Sequence, residues 1–478
     1  MVQLSNILAY VRVFMHTNAS LRSFRVASVC VVMLAALLHV NSCTEAPTVP
    51  FSYNNPLDAD GFDADPFVTE WYDVCSRSAQ QTPQFNDAIA SRAYAYISIA
   101  LYESLRQGFT DSSQSLAAVL NDVPEFPRAD IRAKRYHWLV VANSAVSKVA
   151  QHMFRMAPAP VLAGIRDHES KIHSDISARF FDVQTLQNSI DFGSQIGDAV
   201  VRYASADGAG NSELNPFADE FVPGADSSSW HPEPGDQRAQ LVNWGSVRPF
   251  VLRGTDVETE LNPGSFPVFS TKPTSEFFNA ALTSYTNFSS SQPSDRAIVY
   301  FWGNEAQSEH AISTHMVLIA TQLLKAKPRS IRFAAEFMVK LSLGMADACI
   351  ATYRYKYAYP LIRPTVYISR YVNPSWKTDA TIDGLFVPPS PEYCSVLMAV
   401  SEHACSVFSS TFGATVSLTD RSREDVMSTV RDYFGFNQML NEVRTAQLRS
   451  GLQFPFSIEA GSKVGKGISA IHAQRIRF

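Results

Sequence analysis

The sequence predicts an all-α protein, a large helical bundle broken by one long loop excursion. Two observations carry that expectation. Along most of the chain, apolar residues recur at mixed spacings of three and four, the period of a helix with one buried face. Convincing β-alternation and repeats at solenoid periods are both missing. A third observation places the break: residues 207–273 are crowded with Gly, Pro, Asp, Ser and Asn, and a structureless stretch this long in a compact protein is usually functional or wraps a surface. With 478 residues, 46% hydrophobic and 18% charged, the chain is long enough to bury one large core or two smaller ones. Its formal charge of -5 leaves no basic stripe, so nucleic acid is excluded as a partner class.

Residues 1–42 read as an export signal. Arg22 and Arg25 precede an apolar run over 26–38 that is too short to span a bilayer. Val40-Asn41-Ser42-Cys43 follows and resembles a bacterial lipobox, with Cys43 as the lipidated first residue of the mature protein. Acyl chains on one cysteine anchor through roughly 0.8 kcal/mol per buried methylene. The competing reading is an ordinary secretory signal cut nearby. Met15 is an alternative start, because the stretch before it is long for the charged segment of a signal. Residues 43–70, rich in Pro, Asp and Asn, read as a tether. The expected localisation is the bacterial cell envelope, as an outer-membrane lipoprotein.

Helical periodicity then predicts elements over 88–107, 130–154, 161–179 and 189–206. After the excursion it predicts helices over 275–285, 295–307, 311–324 and 331–355, then 395–412, 421–433 and 437–449. Cys75, Cys349, Cys394 and Cys405 form neither a CxxC pair nor a zinc-ligand spacing, so they read as small core residues with no legible pairing. No metal site is expected, because Glu402-His403 has no partner at ligand spacing.

Three separated segments carry the chemistry. Lys356-Tyr357-Ala358-Tyr359-Pro360-Leu361-Ile362-Arg363-Pro364 sets a lysine six residues before an Arg-Pro pair. Pro388-Pro389-Ser390-Pro391-Glu392-Tyr393 leads into Cys394-Ser395-Val396-Leu397, and Gln447 precedes Gly451-Leu452-Gln453-Phe454. Order, spacing and flanks resemble the vanadium-dependent haloperoxidases and the related acid phosphatases (type 2 phosphatidic acid phosphatase superfamily), in particular a bacterial subgroup. That family holds vanadate or phosphate with Lys-x6-Arg-Pro, then Pro-Ser-Gly-His, then Ser-Arg-x3-Gly-x-His. The likeness extends to Ser91-Arg92-Ala93-Tyr94-Ala95-Tyr96, Asp347-Ala348, Trp244-Gly245, Arg248-Pro249-Phe250 and Phe301-Trp302, and so covers the chain from about Trp71 onward. The resemblance implies one haloperoxidase-type helical bundle over 71–478.

In such a cage, lysine and arginine neutralise the anion, a serine hydroxyl and a glycine N–H donate to it, and two histidines ligate or attack and move protons. On this register Lys356, Arg363 and Ser395 are kept as an anion-binding remnant. Val396 stands for the glycine, Leu397 for the acid–base histidine, Gln447 for the second arginine and Gln453 for the ligating or nucleophilic histidine. Loss of one member of a catalytic unit costs on the order of 10⁴ to 10⁶ in rate. The expectation is therefore a pseudoenzyme with a binding or assembly role and no intact catalytic set. No cofactor is expected, and vanadate or phosphate enters only if the remnant still binds an oxyanion. Lys356 and Arg363 are open to two readings, that remnant or internal salt bridges with Asp347 or Glu392. Arg444 and Arg449 are candidates to lend charge, and His403, His310 and His315 are read as structural.

Two rival functions stay open at this point. One is a repurposed or residual phosphatase- or haloperoxidase-type enzyme using Lys356, Arg363 and Ser395. The other is a surface solute-binding or complex-forming lipoprotein whose recognition face is the 207–273 excursion with its tryptophans. Expected partners are the membrane, through the lipid anchor, and a homodimer or envelope complex, since family relatives often dimerise.

Overall fold

A computed structural model describes residues 59–478 apart from 112, 124, 181, 218, 233–237, 260, 304–310, 328, 377–380, 383–384 and 425–428. The signal and lipobox, including Cys43, and His310 lie outside the described residues. The described residues all fall within one unit, Ser52–Phe478.

Five helices precede the excursion: α1 (Phe67–Gln81), α2 (Asp87–Leu105), α3 (Trp138–Met153), α4 (Ala159–Ser177) and α5 (Val183–Ser205). Two short ones, α6 (Gly210–Leu214) and α7 (Gly254–Thr259), lie inside it. The second half holds α8 (Glu276–Ser289), α9 (Pro293–Gly303), α10 (Ile312–Ala326), α11 (Ile331–Ala358), α12 (Pro364–Tyr371), α13 (Val396–Phe412), α14 (Phe436–Ser450) and α15 (Pro455–Arg475). Two small antiparallel hairpins complete the chain, β1 (Thr381–Ile382) with β2 (Leu385–Phe386) and β3 (Leu418–Asp420) with β4 (Arg431–Tyr433). Among the described residues no helix is long and apolar enough to cross a membrane.

Local chemistry sets the helix starts. Asn86 accepts from the N–H groups of Ala88 and Ile89, Asp182 from Thr185, Ser275 from Phe278, Ser330 from Phe333 and Ser395 from Met398. Each satisfies a first-turn donor that a helix leaves open. Pro364 and Pro455 begin α12 and α15, where a missing N–H costs nothing.

Helices α2 and α11 are buried on nearly every face and form the axis of the molecule. They pack on each other; α3 and α5 cover α2, while α13 and α15 cover α11. α15 reaches α13 through glycine: a Cβ on Gly461 would lie 2.4 Å from the Ser395 carbonyl oxygen. Gly245 permits an equally close approach, because its Cβ would sit 2.4 Å from the Arg354 Cα.

Three expectations are corrected. The globule begins before residue 71: Ala59, Phe62 and Ala64 are buried, and the Ala64 and Ile331 N–H groups bond to the carbonyls of Arg329 and Phe62. The helix expected over 130–154 starts only at Trp138, because the N–H of His137 is taken by the Ser189 hydroxyl at 2.8 Å. The helix expected over 421–433 does not reach its predicted end: Arg431–Tyr433 form β4 instead, paired with β3 and fixed by buried Asp420 on His315 and by Arg431 and Tyr433 on Glu442, while residues 425–428 lie outside the described residues. Tertiary bonding overrides helix propensity there.

Candidate functional site

Lys356 sits in the last turn of α11, and Arg363 is the residue just before α12. Both are buried and both turn toward the 390–392 segment. The Lys356 ammonium donates to the carbonyls of Pro391 (2.9 Å) and Glu392 (3.0 Å). Arg363 donates through Nε to the Ser390 carbonyl (2.8 Å), and through Nη2 to the Ser390 hydroxyl (3.2 Å) and the Pro391 carbonyl (3.5 Å). The excursion clamps the turn between the two cations: Trp230 N–H donates to the Pro360 carbonyl and Ile362 N–H to that of Ser228, both at 2.7 Å.

Glu392 is fully buried at the start of α15, where its carboxylate accepts from the Phe454 N–H (2.9 Å) and the Ser457 hydroxyl. Burial pushes its carboxyl up to about 7, against the pull of Ser457, the Phe454 N–H, Lys356 and Arg363. A helix N-terminus and two cations thus already surround an internal carboxyl group.

On the other side of this segment lies a cavity of ≈ 20 Å³ lined by Gly303, Pro388, Leu397, Ala446, Gln447, Ser450, Leu452 and Gln453. Three of the sequence-nominated positions, Leu397, Gln447 and Gln453, therefore meet on one small space. Val396, Lys356, Arg363 and Ser395 do not line it. Ser395 has turned to local duty, its hydroxyl capping α13 and donating to Gln447 Oε1. Two buried polar atoms on the cavity residues, Gln447 Nε2 and Gln453 Oε1, have no hydrogen-bond partner.

The remaining candidates lie elsewhere. Asp347 is not the counter-ion of Lys356: it accepts from the N–H groups of Phe250 (2.7 Å), Val251 (3.0 Å) and Leu252 (3.1 Å) and pairs with His472 at 2.9 Å. Arg444 pairs with Glu459, and Arg449 donates to the Asn287 carbonyl and the Ser290 hydroxyl, so neither lends charge to the cavity. His315 is buried between the Trp302 ring, stacked at 4.5 Å, and the Asp420 carboxylate at 2.8 Å. His403 bonds Ser469 and the Lys340 carbonyl, and burial lowers its pKa to about 3. Glu402 accepts from Ser462, and no metal-holding cluster of His, Cys, Asp or Glu occurs among the described residues. Cys75, Cys349, Cys394 and Cys405 are free and buried. Trp230 and Trp244 are buried too, which removes them from any recognition face on the excursion. The roles of Ser390 and of the 390–392 carbonyls were missed in the sequence, because main-chain acceptors have no residue signature.

Residues 336–477 match a family model described as the VCPO second helical-bundle domain. A bacterial vanadium-dependent iodoperoxidase structure superposes with a TM-score of 0.75 at 23% identity, covering 86% of this chain and 96% of that one. This is the fold of the vanadium haloperoxidase-like superfamily. Bacterial vanadium-dependent chloroperoxidase structures share it more distantly: the holo form has a TM-score of 0.59 at 12% identity, covering 81% of this chain and 91% of that one. The apo form gives 0.58 at 11%, covering 81% and 94%. No curated protein matches the chain in sequence.

Within the haloperoxidase fold, the residues present here do not fit a vanadate. Among the described residues that line the cavity collecting Leu397, Gln447 and Gln453 there is neither an imidazole to ligate the metal nor a cation to neutralise its oxygens. Gln453 would turn an amide, a poor ligand, toward the metal position.

Proposed function

We propose that the protein is a catalytically silent haloperoxidase-like envelope lipoprotein that keeps the helical bundle for binding or assembly. The observation that carries this reading is the separation of the former cage. Its cations are bonded to the carbonyls of 390–392, and no ionisable side chain occurs among the described residues that line the cavity walled by Leu397, Gln447 and Gln453. General acid–base and nucleophilic chemistry both need a group that can give up or take a proton or an electron pair, and the described lining residues supply none.

The test is turnover of bromide and of iodide with hydrogen peroxide in the presence of added vanadate, and of a phosphate monoester. The expected rates equal those of buffer, and Lys356→Ala leaves them unchanged. A robust rate with either substrate class, abolished by Lys356→Ala, overturns the reading in favour of the repurposed enzyme.

The envelope part of the proposal rests on Arg22, Arg25, the apolar run over 26–38 and Cys43. Cells fed a labelled fatty acid are expected to label the wild-type chain and not Cys43→Ala. Equal labelling of the two, or labelling of neither, removes the lipid anchor.

A further inference from the structure

We infer that the cavity between α9, α13 and α14 is a binding site for a neutral hydroxyl group, supplied by water or by a small primary alcohol. The inference rests on the reading above that this pocket no longer takes an oxyanion.

The argument begins with two unsatisfied atoms. Gln447 is only 6% exposed, and its Nε2 has no acceptor; Gln453 Oε1 is buried and has no donor. The Gln447 amide is oriented by Ser395, whose oxygen accepts from the Met398 N–H and donates its own proton to Gln447 Oε1. That leaves the NH₂ group as the side of Gln447 still to be satisfied. Leaving a buried donor and a buried acceptor both unmet is costly, so a structure that keeps the pair is expected to satisfy it from outside the chain.

Size then selects the partner. One water needs about 10–15 Å³ of such space, and the cavity offers ≈ 20 Å³. A single oxygen placed there must accept from an N–H and donate to a C=O, which is what a hydroxyl does. Carboxylate oxygens and the ionised oxygens of phosphate only accept, and they would press negative charge against Gln453 Oε1. An ammonium only donates and leaves Gln447 Nε2 unmet. The rest of the wall includes Pro388, Leu397, Ala446 and Leu452, an apolar surface suited to the short alkyl end of an alcohol.

The experiment uses the purified full-length chain. A high-resolution crystal structure from alcohol-free solution is expected to show one ordered oxygen within about 3 Å of both Gln447 Nε2 and Gln453 Oε1. Titration with ethanol and 1-propanol, followed by ligand-observed NMR, is expected to saturate, and Gln453→Met to weaken it about tenfold, the loss of one hydrogen bond. An ordered oxygen without saturable alcohol binding assigns the hydroxyl to water; alcohol displacing that oxygen assigns it to the alcohol. Empty density together with no saturable binding overturns the inference while leaving the proposed function in place. Inorganic phosphate entering the cavity in a Lys356-dependent way overturns both. The wild-type density needs no variant, so misfolding of Gln453→Met does not blunt the test.

Discussion

Glu392 concentrates the electrostatics of this region in one carboxyl. Two cations and a helix N-terminus surround it, yet burial outweighs them and raises its pKa from 4.5 to about 7. A raised folded-state value means that the folded chain binds the extra proton more tightly than the unfolded chain. The stability this contributes is complete below pH 4.5 and is lost as pH rises to about 7. The wild type is therefore expected to be less stable at pH 8 than at pH 5, with this group contributing on the order of 3 kcal/mol. In Glu392→Gln that component of the pH slope should vanish, and urea denaturation of both proteins at the two pH values measures it. An unchanged slope would show that Glu392 is ionised in the fold throughout. At this scale the sequence was informative about identity and uninformative about direction. The family resemblance nominated Lys356, Arg363, Ser395, Leu397, Gln447 and Gln453. Which of them would share a cavity was not, because the cations' new partners are the carbonyls of 390–392.

Two helices of the second half were read well, although α1 (Phe67–Gln81) was not read at all. α11 was expected over 331–355 and forms as Ile331–Ala358; α13 was expected over 395–412 and forms as Val396–Phe412. The periodic signal and the serine caps at Ser330 and Ser395 agree there, so local and tertiary preferences point the same way. α15 went unread: Gly461, Gly465 and Gly467 weaken the helical signal, yet Gly461 and Gly465 are what the element needs. A Cβ at Gly465 would lie 2.5 Å from the Ala399 carbonyl oxygen, so this face of α15 must be bare to touch α13. The 421–433 stretch failed for the opposite reason. Its composition suits a helix, but Asp420, just before it, is held by His315 of α10, 105 residues away, and Arg431 and Tyr433 at its end turn to Glu442 of α14.

At the scale of the whole molecule, the 207–273 excursion is a strap tied to both halves of the bundle. Its first residue, Asp207, is ion-paired with Arg92 of α2 at 2.6 Å, and Asp256 is ion-paired with Arg475 at the end of α15. Between these ties the N–H groups of Phe250, Val251 and Leu252 converge on the carboxylate of Asp347 in α11, which also holds His472. A loop of this length keeps one course only because buried donors along it find fixed acceptors. Asp347→Ala strands those three N–H groups, each at about 1–3 kcal/mol, so a loss of several kcal/mol in urea denaturation is expected. Asp347→Asn keeps one oxygen acceptor and should lose less. Limited proteolysis locates the effect: Asp347→Ala should be cut within 207–273 at protease levels that leave the wild type whole. Cleavage spread evenly over the chain would mean that Asp347 supports the core at large, and the strap would then owe its course to Asp207 and Asp256.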